Sequence, residues 1–128
     1  MRLKAVSPED LEFLYRLNTD PFIRAVSHNK GHFTFDQHCE YWKKKSQDPD
    51  FEAAIIIDND TMVGCIRRDR GLISIAISPE FQNKGVGTEA LKDFCKPGDK
   101  AEILTENRKS ARCFEKAGFK WESAIWKR

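Results

Sequence analysis

The sequence predicts an α/β fold in which a mixed, mostly antiparallel sheet is flanked by helices. Two observations lead to this fold class. Short apolar runs typical of buried strands alternate with segments whose apolar residues recur at helical spacing. Prolines, glycines and Asx residues, which favour turns, separate these segments. With 128 residues, the chain is expected to form one domain that covers residues 1–128.

The composition argues against several classes of function. The 22 Lys and Arg residues nearly balance the 20 Asp and Glu residues, so a dedicated nucleic-acid-binding protein is not expected. No apolar run reaches membrane-spanning length and no signal-peptide core follows the N-terminus, which predicts a cytoplasmic protein without a membrane partner. Four scattered cysteines predict reduced core thiols and no metal site: Cys39, Cys65, Cys95 and Cys113.

The N-terminal segment predicts a short strand and then a helix. Residues 2–6 have the strand pattern. Ser7 and Pro8 form a helix start, because serine caps helices and proline suits the first helical position. The helix is expected to end at 18–21, before a proline. Residues 22–33 have no clear period and are interpreted as a loop or a broken helix.

A second helix and three strands follow. The helix is predicted to begin at 34–36 and to end at 48–50. Strands are predicted at 51–57, 61–68 and 72–77, joined by turns rich in Asp, Asn and Gly. The apolar side of the helix has the spacing i, i+3, i+4 and i+7: Phe35, His38, Cys39 and Trp42.

A turn with two glycines connects the strand at 72–77 to a helix. Gly85 and Gly87 allow positive φ and let a ligand approach the backbone. The unpaired N–H groups at the helix N-terminus, with the positive end of the helix dipole, predict an anion site, most naturally for phosphate. The loop lacks the complete dinucleotide and P-loop motifs, and an ordinary strand-to-helix turn stays open as the alternative. The helix face is Val86, Ala90, Leu91, Phe94 and Cys95.

The C-terminal part predicts a strand, a helix and a last strand. Residues 96–99, which include a proline and a glycine, are expected to end the preceding helix, and 100–105 are predicted as a strand. Asn107 is expected to cap a helix that ends at Gly118, and 119–127 to form the last strand. The predicted order is β-α-α-β-β-β-α-β-α-β.

Two motifs resemble the GCN5-related N-acetyltransferase (GNAT) family. The first is Gln-x-x-Gly-x-Gly at 82–87, after a strand that ends in Ser-Pro. The second begins at Asn107 and ends in Gly-Phe at 118–119. The resemblance implies a single-domain GNAT-like fold, acetyl-CoA as donor and an amine as acceptor. The family commonly has one more C-terminal strand, so a missing sheet edge is expected, either absent or supplied by the partner in a homodimer.

The resemblance also implies which residues hold acetyl-CoA. Backbone N–H groups of 83–88 would bind the pyrophosphate, and the main chain of 75–77 would pair with the pantetheine arm and polarise the thioester carbonyl. Asn107 would hydrogen-bond the arm. The alternatives are a plain turn, a core strand and a helix cap. The implied set is Ile75, Ala76, Ile77, Gln82, Asn83, Lys84, Gly85, Val86, Gly87, Thr88, Asn107 and Phe114.

Acetyl transfer requires a neutral amine, so a base must remove a proton from the ammonium. In the ribosomal-protein branch of the family, a Glu lies five positions before the Asn, which implies Glu102 as catalytic base. The alternative is a solvent-facing strand residue, and Glu106 and Glu80 are weaker candidates. Many members have a tyrosine at the position of Phe114 to protonate the leaving thiolate. This chain has none there, and Phe114 is expected in the core.

The acceptor pocket is expected from the segment 20–45. That segment resembles amino-sugar nucleotide acetyltransferases of the pseudaminic-acid type, which implies that His38 lines the pocket, Trp42 stacks a sugar or base and Arg24 meets a phosphate. A buried His38 and a core Trp42 are the alternatives. The acceptor is therefore expected to be a small-molecule amine. A protein N-terminus, or a non-catalytic CoA-binding domain, stays open.

Overall fold

A computed structural model describes residues 1–27, 31–122 and 125–128. In these ranges it has seven strands and five helices. The strands are β1 (Arg2–Ala5), β2 (Phe51–Asp58), β3 (Thr61–Asp69), β4 (Leu72–Ile77), β5 (Lys100–Ala101), β6 (Lys120–Glu122) and β7 (Ile125–Lys127). The helices are α1 (Leu11–Thr19), α2 (Pro21–Ala25), α3 (Phe35–Lys45), α4 (Val86–Phe94) and α5 (Arg108–Lys116). Short 3₁₀ turns at Pro8–Asp10 and Pro79–Phe81 precede α1 and the glycine loop.

The strands form one sheet in the order β1-β2-β3-β4-β5-β7-β6. Among the described strands, β4 and β5 are parallel neighbours and the other adjacent pairs are antiparallel. The predicted fold class, a mixed and mostly antiparallel sheet with flanking helices, is confirmed.

Two predicted strands have different bounds. The strand expected at 100–105 ends at Ala101, because its pairing with β4 stops at Lys100 and its pairing with β7 stops at Ala101. The strand expected at 119–127 is two strands, β6 and β7, and β7 inserts between β5 and β6. The expectation of a missing edge is therefore wrong, and residues 123–124 between the two strands lie outside the described residues.

Part of the segment without a clear period is helical. Asp20 caps α2 by accepting from the N–H groups of Phe22 and Ile23, and Pro21 occupies the first position. The interpretation of 22–33 as a broken helix holds for this part, while residues 28–30 lie outside the described chain. One apolar residue, Ile23, anchors α2 against the sheet at 8% exposure.

Strand alternation divides the core between the two faces of the sheet. On one face, side chains such as Ile56, Ile66 and Ile73 pack under α4 and α5. On the other face, Ile55 and Cys65 join the buried leucines of α1 and the Trp42 ring. The helices of the N-terminal half therefore cover one face, and those of the C-terminal half cover the other.

An ion pair ties β3 to the start of β5. The Arg68 guanidinium donates to both carboxylate oxygens of Asp99, at 3.0 and 2.8 Å, and stacks 4.6 Å from the Phe94 ring centroid. Burial alone would raise the pKa of Asp99, but hydrogen bonds from Arg68 and from the Lys96 N–H outweigh it and lower that pKa. The same pair raises the pKa of Arg68.

Asp99→Asn is expected to lower the free energy of unfolding at pH 7 by about 3 kcal/mol, since the largely buried guanidinium loses its hydrogen-bonded countercharge and keeps only the exposed Glu52 carboxylate, 3.5 Å away. Because the folded-state pKa of Asp99 is depressed, the pair stabilises the fold above about pH 4 and loses this effect as the pH falls through the folded pKa. Urea unfolding at pH 7 and in acid measures the difference, which should narrow in acid. Asp93→Asn, at an exposed carboxylate of α4, is the control and should unfold like the parent. An equal difference at both pH values would contradict the assignment.

Candidate active site

The site begins where β4 and β5 separate. The two strands share one residue pair, Leu72 with Lys100, and in the described part of the chain β4 has no strand partner on that edge from Ile73 onward. Arg68 pairs with Ile73, and Asp99 precedes Lys100, so the ion pair stands at the closed end of this separation. The opening forms a cleft of about 1440 Å³. Helices α2 and α3 line one side of it, and α4 and α5 the other.

The main chain of β4 alternates between its two edges. The N–H of Ser78 donates to the Val63 carbonyl in β3 at 2.8 Å, and the N–H of Lys100 donates to the Gly71 carbonyl at 2.9 Å. Even-numbered residues of β4 therefore direct their N–H and C=O groups to β3, and odd-numbered residues direct theirs to the side of β5.

This alternation determines which of the three residues predicted to pair with the pantetheine arm can do so with their main-chain groups. Ile75 and Ile77 direct their main-chain groups into the cleft, whereas Ala76 faces Cys65 of β3 and is removed from the predicted main-chain role. The Ile77 carbonyl accepts a hydrogen bond from Gln82 Nε2 at 2.9 Å. The N–H and C=O of Ile75 and the N–H of Ile77 are left open, as far as the described residues show.

The glycine loop presents a row of backbone N–H groups. Asn83 and Gly85 have positive φ values of 64° and 80°, which turn the chain into α4. The first N–H that finds an acceptor in the helix is that of Glu89, which donates to the Gly85 carbonyl. Within the described chain, the N–H groups of 83–88 have no acceptor. They converge at the positive end of α4, so the loop has the geometry of an anion site.

The two glycines differ in what they require. Gly85 needs glycine for its backbone conformation, since a side chain there would have to adopt a positive φ. At Gly87 an added Cβ would lie 3.6 Å from Cys113 Sγ, which is ordinary contact. The side chain of Val86 is buried in the core, so its contribution to the loop is its N–H. Thr88 lines the cleft.

Helix α5 supplies the positive charge beside this loop. Lys109 Nζ lies 3.5 Å from Gln82 Oε1, and Arg112 also lines the cleft. Lys84 is exposed, with its Nζ 5.6 Å above the Phe81 ring. The sequence interpretation found Lys84 and overlooked the two α5 residues. Their spacing of three on one helix was the signal available.

Asn107 caps α5, since its Oδ1 accepts from the Ser110 N–H at 3.2 Å. Its Nδ2 makes a long contact of 3.5 Å with the Val26 carbonyl on the opposite side of the cleft. Phe114 is 2% exposed, and its ring meets Phe119 edge to face at 4.9 Å. Phe114 is thus a core residue, as expected, and brings no hydroxyl to the cleft.

Two carboxylates line the cleft after β5. Glu102 follows the last residue of β5 and is exposed, and Glu106 lies in the turn before α5. Glu80, the third candidate base, lies in the 3₁₀ turn and is not among the lining residues of the described chain. The structure therefore favours Glu102 and Glu106 over Glu80 by position.

The two residues of α3 that were predicted to contact the acceptor are buried, and they also line the cleft. His38 is 3% exposed and Trp42 5% exposed, with ring centroids 6.2 Å apart. Burial lowers the pKa of His38, a hydrogen bond with the Leu11 backbone opposes this, and the charge of Arg67 lowers it further. Tyr41 and Phe51 meet the Trp42 ring edge to face. This core position does not favour stacking of a sugar or base on Trp42.

Two arginines, Arg24 and Arg67, are the other charged residues of the described lining on this side. Arg24 lies 5.2 Å from the Phe33 ring centroid and donates to the Gly31 carbonyl. Arg67, which the sequence interpretation missed, donates to Tyr41 Oη at 3.3 Å. Period-two alternation on β3 was the signal for it, because Arg67 shares the face of Cys65 and Arg68 the opposite face.

No described helix is long and apolar enough to cross a membrane. The described residues also contain no group of three or more His, Cys, Asp or Glu side chains that could hold a metal ion.

Solved structures with the same fold include acetyltransferases. A spermidine N-acetyltransferase from Vibrio cholerae, in complex with CoA and spermine, is 20% identical with a TM-score of 0.85, covering 95% of this chain and 82% of that one. AAC(6′)-Ib in complex with paromomycin and acetyl-CoA is 17% identical with a TM-score of 0.80, covering 98% of this chain and 89% of that one.

A domain from Methanocaldococcus jannaschii is 22% identical with a TM-score of 0.76, covering 98% of this chain and 94% of that one. At these identities the similarity shows the fold. A search of curated protein sequences found no significant match. The family model described as "Acetyltransferase (GNAT) domain" matches residues 1–120. The chain therefore belongs to the GNAT acetyltransferase family.

Proposed function

We propose that the chain transfers an acetyl group from acetyl-CoA to the primary amine of a small molecule, and that residues 1–128 form one catalytic domain. One observation carries the proposal. The open edge of β4 and the row of N–H groups at the start of α4 lie in the same cleft. A strand edge suits an extended amide chain, and a helix N-terminus suits a diphosphate, so the two fit the two parts of CoA.

The residues divide the binding work. The N–H groups of 83–88 would hold the diphosphate, with Lys84 and Lys109 adding positive charge beside it. Ile75 and Ile77 would pair with the amides of the arm through their open main-chain groups. Gln82 fixes the Ile77 carbonyl and so sets the end of the strand edge. Asn107 would need to give up its long contact with Val26 to reach the arm.

Bound acetyl-CoA supplies a thioester, at which the amine nitrogen forms its bond to the acetyl carbon while the carbon–sulfur bond breaks. We assign to Glu102 the removal of the proton from the acceptor ammonium, directly or through one water. An open N–H of β4 would polarise the carbonyl oxygen. Phe114 offers no proton, so water would protonate the departing sulfur, whose pKa near 8.5 makes it a competent leaving group.

The identity of the acceptor is a finer proposal. An amino-sugar nucleotide stays a prediction that the matching structures do not support, since those that name an acceptor name spermine and paromomycin. Arg24, in the last turn of α2, is the side chain that would meet its phosphate. We further propose a cytoplasmic protein with no nucleic-acid or membrane partner. A homodimer is not needed to complete the sheet, which has all seven strands from one chain.

Phe114 favours a second candidate function, a CoA-binding domain without catalysis. Calorimetry with CoA followed by an amine screen separates the two. We expect CoA to bind, and free thiol to be released when some small amine is added. Binding without thiol release on any amine or peptide would support the non-catalytic domain. Release with peptides alone would replace the small molecule by a protein N-terminus, and absent binding would overturn the proposal.

A further inference from the structure

Arg67 is a positive charge in the cleft for which the described residues supply no countercharge. Arg67 is half-buried on β3, opposite Ser74 of β4, and therefore next to the open edge. Its recorded hydrogen bond is to Tyr41 Oη, and no carboxylate of the described chain lies within ion-pair distance of it. A guanidinium has five donors in a fixed fork, so most of them are left for a ligand.

Two buried polar atoms lie on the same side of the cleft. His38 Nε2 and Trp42 Nε1 have no hydrogen-bond partner among the described residues, although both side chains are more than nine-tenths buried. Buried polar atoms are nearly always satisfied in folded proteins, so these two call for a partner from outside the chain, either water or a polar group of a ligand. His38 stacks on Phe33 and meets Tyr15 edge to face, and these ring contacts hold its orientation.

The distribution of charge across the cleft is uneven. Within the described lining, the side formed by α2, α3 and β3 carries Arg24 and Arg67 and no acid. The far side carries both acids, Glu102 and Glu106, and the basic residues of α5, which are Arg108, Lys109, Arg112 and Lys116. A polycationic amine would bring its second positive charge against these arginines, which costs binding energy at short range. An amine with one ammonium and one anionic group would place opposite charges on the two sides.

We infer that the acceptor carries a carboxylate or a phosphate near its amine, and that Arg67 binds this group with the hydroxyl of Tyr41 beside it. The inference rests on the proposed N-acetyltransferase function and narrows its acceptor. It separates this chain from the polyamine spermine named in the matching Vibrio cholerae structure. The anion would then lie on the face of the sheet that α1, α2 and α3 cover. The ammonium would lie toward Glu102, on the other side of the cleft.

The test uses acceptors that differ only in the anion. Lysine is compared with cadaverine, phosphoethanolamine with ethanolamine, and glucosamine 6-phosphate with glucosamine, with thiol release as readout. The anionic member of at least one pair should have the higher kcat/KM, and the pairs distinguish carboxylate from phosphate. Arg67→Gln should lower kcat/KM for that member by about 10- to 100-fold, mainly through KM, and should not lower it for the member that lacks the anion.

Controls separate a binding role from a structural one. Arg67→Lys should restore part of the loss because it keeps the charge, and Arg2→Gln, at an exposed arginine of β1, should have no effect. Calorimetry with CoA is performed on every variant. Preference for the amines that lack the anion, or an unchanged preference in Arg67→Gln, overturns the inference and leaves the acetyltransferase function standing. Absent CoA binding by the parent protein overturns both.

A binding measurement decides the case in which no pair is acetylated. Inorganic phosphate and acetate are titrated separately into the CoA-loaded protein, so that the glycine loop is already filled. The NMR signal of the Trp42 indole N–H is followed, with Trp42→Phe to assign it. A shift that is present in the parent protein and lost in Arg67→Gln supports the anion subsite. A spectrum that neither anion changes, or that changes equally in both proteins, overturns it.

Discussion

Glu102→Gln is expected to lower kcat/KM for amine acetylation by about 10²- to 10³-fold at neutral pH. Glutamine keeps the size and the polarity of the side chain but cannot accept the ammonium proton. The loss should be largest below the pKa of the acceptor amine, where most of the amine is charged, and should shrink above it. The affinity for CoA should not change, because Glu102 follows β5 and belongs neither to the glycine loop nor to the open edge of β4, which are the two parts assigned to CoA.

Glu106→Gln is the matched control for this prediction. Glu106 also lines the cleft and also follows β5, so it tests whether any lost carboxylate reduces the rate. Steady-state rates over a pH range, with one amine of known pKa, give the comparison. Glu102 would be removed as the base if its replacement left the rate unchanged at every pH. An equal loss in both variants would point to the charge of the cleft instead.

Gly85→Val should weaken CoA binding on the order of 100-fold. The backbone of Gly85 has a φ of 80°, a conformation that is unfavourable for a β-branched residue, so the loop must shift. Such a shift misaligns the N–H groups of 83–88, and the estimate corresponds to the loss of one or two charge-assisted hydrogen bonds. Calorimetric titration with CoA measures the change directly.

Gly98→Val provides a control with the same kind of strain. Gly98 has a φ of 96°, its added side chain would meet nothing within 4 Å, and it is not among the cleft-lining residues that the structure describes. Both variants should lose a similar free energy of unfolding, about 1–2 kcal/mol. If Gly98→Val weakened CoA binding as much as Gly85→Val did, general destabilisation would explain the result and the loop would lose its assigned role.

The parts of the fold with strong local signals could be predicted from the sequence. The apolar runs of β2, β3 and β4, the end of α1 before Pro21 and the capping Asn107 are each decided by neighbours in the chain. The glycine loop belongs to the same class, because its geometry follows from Gly85 at a helix start. The family assignment rested on these local motifs and is confirmed by the family model.

The errors lie where distant parts of the chain decide the outcome. The length of β5 depends on where β4 turns away from it, and no local pattern in 100–105 records that. The division of 119–127 into β6 and β7 depends on the place that β7 finds beside β5. Arg67 was missed for a similar reason, since its role depends on Tyr41 in a helix 26 residues away. The pseudaminic-acid-type assignment rested on the variable segment 20–45 and found no support.

The point at which β4 and β5 separate sets a length that could change during the evolution of this chain, namely the length of the open edge of β4. The five residues from Ile73 to Ile77 give this open edge a length of roughly 16 Å. Each further pair of hydrogen-bonded residues between β4 and β5, beyond Leu72 and Lys100, would shorten it by about 3.3 Å. The Arg68–Asp99 ion pair lies at the point where the two strands separate. A substitution at this ion pair would change how far a long ligand can enter between the strands. It would do so without altering any group that contacts the ligand.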